Sequence, residues 1–141
     1  EILHAAKVDQ AEYFVIAMDD PEINIKTAEL VRNLYPHMKI IARARNRQHV
    51  HRLVDLDASP VRETFYSSLE MSRRTLVGLG LSETQADARI NRFKHHDLQL
   101  LAAQHAVYDD AAKVMQSAQE ARAELARLFE MDRLEEESAK V

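Results

Sequence analysis

The alternation within the first 65 residues constrains this chain most. Two short and nearly unbroken apolar runs, "FVIA" from Phe14 and "IIA" from Ile40, flank a stretch of helical spacing. Unbroken runs of that length suit strands covered on both faces, and the spacing between them suits an amphipathic helix. Strand Tyr13–Met18, a helix from Pro21 to Tyr35, strand Lys39–Arg45, a helix from Arg47 to Leu56 and a short strand near Val61–Phe65 follow from this pattern. Strands alternating with helices of such length predict right-handed strand–helix–strand units on a parallel sheet. The opening "EILHAAKVDQAE" reads as the end of a helix, Glu1 to about Val8, and its first residue is not Met. The sequence is therefore expected to be a piece of a longer protein.

From Phe65 onward the texture is helical. Phe65, Leu69 and Leu76 share one face, and Gly78 and Gly80 end that helix. Ser82 is placed to cap the next, whose apolar stripe runs through Ala86, Ile90, Phe93, Leu100 and Leu101. Past Tyr108 the chain is rich in alanine and glutamate, with a thin seam of Ala121, Leu125 and Leu128. Glu124–Arg127 and Glu136–Lys140 have the spacing of helical ion pairs, each worth roughly 0.2–0.5 kcal/mol. This tail is expected to be a surface or partner-seeking helix.

Composition narrows the function. A net charge of −4 over 141 residues gives no basic field for nucleic acid. The absence of cysteine excludes a disulfide framework and thiolate chemistry. No apolar run approaches the roughly 20 residues of a membrane span. The only glycines, Gly78 and Gly80, stand two apart, so neither phosphate-cradling glycine motif can be written anywhere in the chain.

Four constellations bear on chemistry. In Asp19-Asp20-Pro21, Asp20 suits a helix N-cap and Pro21 the first helical position. Asp19 then stands at the carboxyl end of a strand, where open α/β sheets hold their ligands. An acidic group there favours sugar hydroxyls or an amine and repels phosphate, unless it serves the turn alone. In "IIARARN", Arg43 and Arg45 point to one side of a strand end, fit either to grip an anion or to bridge to a neighbouring helix. "PVRETF" sets Arg62 and Glu63 on the third strand, facing solvent, a ligand or an interface. Asp97 lies four after Phe93 and four before Leu101, on the apolar stripe, where a carboxylate either meets a cation from this chain or a dimer mate or stands at an exposed helix end. His49-x-His51 and His95-His96 have spacings that put the two rings of each pair on different helix faces, so no metal site is expected. No catalytic triad or dyad is legible.

"IIARARN", "RETFYSSLEMSRRTLVGLGL" and "FKHHDLQLL" resemble the cytosolic regulatory (RCK/KTN) domain of the Kef glutathione-gated potassium efflux systems of Gram-negative bacteria. The tail "EARAELARLFE" is closer to the KefB branch than to KefC. The resemblance covers nearly the whole chain. It implies an α/β fold: the C-terminal half of a Rossmann-like sheet (1–65), dimerisation helices (66–108) and a C-terminal peripheral helix (109–141). It implies AMP or NAD(H) at a glycine loop outside this chain, with Asp19, Asp20 and Arg43 near the nucleotide. It also implies a homodimer that is closed by glutathione and opened by glutathione adducts. Further partners are a membrane transport domain of the same polypeptide and a flavodoxin-like quinone reductase, at the cytoplasmic face of the bacterial inner membrane. The "RETF" arginine that contacts glutathione in the family falls on Arg62, and the asparagine it works with falls on Asp97. An aspartate there has two uses, holding the tripeptide's amino group or pairing with Arg62, and it disfavours a ligand carboxylate. The alternatives are a TrkA-like subunit sensing NAD(H) to control potassium uptake, and an oxidoreductase fragment of Rossmann type, for which no catalytic base can be assigned.

Overall fold

A computed structural model describes Leu3 and residues 6–140. Two compact units divide the chain, one ending at Tyr66 and the other beginning at Ser67. Most of the helix expected over residues 1–8 lies outside the described residues; Val8–Gln10 forms a single 3₁₀ turn.

The first unit is a three-stranded parallel sheet in sequence order, β1 (Tyr13–Ile16), β2 (Lys39–Ala44) and β3 (Ser59–Arg62). Helix α1 (Pro21–Leu34) links the first pair and α2 (Arg47–Asp55) the second. Val15 faces Ile41, and Ile41 faces Ser59. Two crossovers in the same direction put both helices over one face of the sheet. The burial pattern agrees: Ile16, Ile40, Ala42 and Ala44 pack with Ile25, Ala28, Val31, Val50 and Leu53, all nearly inaccessible.

Two expectations need correction here. The strands are not covered on both faces, since Tyr13 and Val15 on β1 are 52% and 65% exposed and Val61 on β3 is 47% exposed. The unbroken apolar run reports a second apolar face, which no described residue of this unit covers. β3 begins two residues earlier than predicted and ends at Arg62, where the Glu63 N–H donates to the Ala44 carbonyl at 2.9 Å. Pro60 hid this strand, but β3 pairs only with β2, and an edge strand tolerates a residue without an amide.

Local chemistry sets the element ends. Asp20 caps α1, its Oδ1 accepting from the Glu22 and Ile23 amides at 2.9 and 3.2 Å, and Pro21 follows as the first helical residue. Asp57 takes a left-handed conformation (φ 54°) after α2, and the Ala58 N–H reaches back to the Leu53 carbonyl at 3.0 Å. That is a Schellman ending, closed without glycine.

The second unit comprises most of α3 (Phe65–Gly78), together with α4 (Glu83–Gln104) and α5 (Ala111–Ala139). Gly80 (φ 111°) closes α3 with the same Schellman pattern, the Leu81 N–H donating to Leu76 O at 3.1 Å. Ser82 and Gln85 form a reciprocal capping box at the start of α4. α4 and α5 lie antiparallel, because early residues of one bond late residues of the other. Arg92 holds Asp132 through two bonds of 2.7 Å, Arg89 holds Glu136 at 3.0 Å, and Gln104 reaches Ser117 at 2.9 Å. The tail helix thus docks on its neighbour, and the carboxylates expected to pair along it turn outward from it instead. Glu136 binds Arg89, and Glu124 lies 3.6 Å from His96.

Candidate functional site

The carboxyl ends of β1 and β2 carry the acidic and basic residues that the sequence marks out. Arg43 Nη1 donates to Asp19 Oδ1 at 2.7 Å and to the Ala17 carbonyl at 3.2 Å. The Asp19 side chain is almost wholly exposed, so the pair gains little from Coulomb attraction in water. Its effect is geometric: it ties the end of β2 to the loop after β1 and occupies the Arg43 guanidinium. Asp20, beside it, is committed to the cap of α1. Arg45 lies just beyond β2 and is exposed.

Asn24 was missed by sequence reasoning. Only 1% exposed, it donates through Nδ2 to the carbonyls of Met18 (2.9 Å) and Arg43 (3.2 Å), stitching the two strand ends together. The available signal was a polar residue adjoining Ile25 on the buried side of α1. Glu22 and Arg52 join α1 to α2 through a forked pair at 2.5 and 3.2 Å. Bonded to that guanidinium, the Glu22 carboxyl stays below its ordinary range.

Arg62, the last residue of β3, is half-buried, and its guanidinium carbon sits 3.6 Å from the centroid of the Phe65 ring. Stacking on an aromatic face fixes the plane of the fork. In the second unit Asp97 lies mid-way along α4 and is half-buried rather than enclosed in a core. The same unit contains an open apolar groove of about 520 Å³ between α3, α4 and α5, lined by Leu69, Leu76, Phe93 and Phe129. Arg62 belongs to the first unit and Asp97 to the second. Among the described residues no three histidines, aspartates or glutamates converge as metal ligands.

Residues 67–140 match the family described as the potassium efflux system KefB C-terminal domain. The chain belongs to that family. Residues 1–62 of this Kef domain match the TrkA-N domain. The Kef C-terminal domain of Shewanella denitrificans, solved in its AMP-bound form, is 36% identical, with a TM-score of 0.72 over 75% of this chain and 68% of that one. The fold is accordingly the Rossmann-like RCK/KTN type, and the Kef domain is a regulatory part of a potassium efflux system. Both matched families are regulatory domains of transport systems. The match over 67–140 likewise sets this chain on the efflux side rather than with TrkA-like uptake subunits. No helix among the described residues is long and apolar enough to cross a membrane.

Proposed function

We propose that this Kef domain gates potassium efflux in exchange for protons by sensing glutathione, which holds the system closed until bulky glutathione adducts open it. Arg62 is the residue that carries the reading. Its guanidinium is oriented by the Phe65 ring at the end of β3, in a chain 36% identical to a Kef C-terminal domain. An oriented fork suits a tripeptide carboxylate. Asp97 holds the ligand's amino group, as suits a half-buried carboxylate on α4. Residues 66–108 are assigned to dimerisation and 109–141 to a peripheral helix, so that two copies hold one ligand. The sensing step is a population shift: a ligand biases one dimer arrangement only by its differential affinity, typically about 1–3 kcal/mol.

The strand ends are the second half of the proposal. The Shewanella domain holds AMP, and Asp19, Asp20 and Arg43 are the residues this chain would bring near such a nucleotide, AMP or NAD(H). With Arg43 occupied by Asp19, the acidic edge favours ribose hydroxyls over phosphate. The partners in this reading are the membrane transport domain of the same polypeptide and a flavodoxin-like quinone reductase, at the cytoplasmic face of the bacterial inner membrane.

The test is calorimetric titration of glutathione and a bulky adduct into the intact protein, wild type against Arg62→Ala. Losing a charged hydrogen bond predicts glutathione binding weaker by about tenfold or more. Equal affinities would remove the proposal's foundation.

A further inference from the structure

The first turn of α2 holds a buried imidazole that the glutathione reading leaves unused. His49 is only 3% exposed. Its Nδ1 accepts the Arg45 backbone N–H at 2.9 Å, and the His49 backbone N–H donates to Asn46 Oδ1 at 2.9 Å. These two bonds close the turn that joins β2 to α2. An Nδ1 that accepts cannot carry a proton, so the ring is neutral with its hydrogen on Nε2. That Nε2 is buried and has no hydrogen-bond partner among the described residues. The charged groups acting on the ring are Arg52 from α2 itself and Glu22 from α1, and these two neutralise one another.

We propose that His49 is a proton-operated latch, its neutral ring holding the β2–α2 turn shut and its protonated ring opening it. Adding a proton to Nδ1 sets that N–H against the Arg45 N–H, so an acceptor becomes a second donor. A new charge would also stand in a site where no described residue offers Nε2 an acceptor. The ring must then leave, and the turn it closes opens beside the Arg43 carbonyl held by Asn24 and the guanidinium held by Asp19. Burial first, and Arg52 second, hold the His49 pKa below its ordinary 6.5, with Glu22 opposing. The latch is therefore shut at neutral pH and is drawn open as pH falls below about 6.5. The inference is independent of glutathione and of any nucleotide.

Hydrogen–deuterium exchange on the intact protein tests it, read as protection corrected for the intrinsic pH dependence of exchange. Between about pH 6.5 and 5.5 the segment 45–50 should lose about fivefold more protection than the second-unit segment 84–100, since only the open form binds the proton and, with an open-state value near the ordinary 6.5, the opened fraction grows roughly fivefold over that unit. His49→Asn keeps an acceptor near the Nδ1 position but cannot titrate, so its 45–50 segment should track the reference. The proposal is overturned if the two wild-type segments change in parallel, a result that does not depend on the variant folding. It is equally overturned if the asparagine variant loses protection with acid as the wild type does.

Discussion

Arg32 shows how much one side chain can organise. It donates to four main-chain carbonyls, those of Leu56 (3.1 Å), Pro36 (2.8 Å), Met38 (2.8 Å) and Asp57 (3.1 Å). It thereby binds the turn before β2 to the turn before β3 at the amino ends of the strands. Arg32→Ala leaves part-buried carbonyls unsatisfied and should cost about 2–4 kcal/mol in chemical denaturation. Lysine should rescue little, since a point charge cannot serve four acceptors arranged around a planar fork. Glu70 is the acid-sensitive counterpart in α3, its carboxyl brought down to about 2 by hydrogen bonds from Arg73 and then Arg74. A lowered folded-state value means the stabilisation is complete above the ordinary 4.5 and fades as pH falls toward about 2. Melting temperature against pH should be flatter across that window in Glu70→Gln than in wild type.

At the scale of elements, ends and pairings are decided by different physics. α3 stops at a left-handed residue, Gly80, whose added Cβ would meet no atom within 4 Å but would be strained at φ 111°. Gly80→Ala should therefore destabilise through the backbone alone, by about 1 kcal/mol, visible as a lower denaturation midpoint with unchanged slope. The β2–α2 turn has no glycine; its closure uses the Asn46 cap and the His49 ring together. α5, twenty-nine residues long with one buried residue, Ala121, is joined to α4 by the Arg89–Glu136 and Arg92–Asp132 ion pairs. Its amphipathic seam alone is too thin to predict that docking.

On the scale of the molecule, the exposed apolar face of the sheet is the dominant feature of the first unit. Tyr13, Val15 and Val61 form part of it, and among the described residues no strand pairs with the outer edge of β1. Open edges and apolar faces of parallel sheets recruit other chains. Produced alone, the chain should self-associate, and Val15→Lys should raise its monomer fraction in sedimentation or light scattering. An unchanged distribution in the lysine variant would show that this face is not the sticky one. Such a face is consistent with an RCK/KTN domain that works joined to other parts of a potassium efflux protein.

What the sequence determined by itself was local. The alternation of strands and helices, the Asp20-Pro21 start of α1, the Ser82 cap and the glycine end of α3 all depend on partners within about four residues, where spacing and geometry are nearly the same thing. What only the tertiary structure decided depends on distant partners. Asn24 meets a carbonyl 19 residues on, Arg32 one 24 residues on, and Arg89 a carboxylate 47 residues on. The start of β3, the bare sheet face and the outward turn of Glu124 and Glu136 belong to the same class. No periodicity encodes which distant chain segment will supply the missing donor or acceptor, because that choice is made when the elements pack.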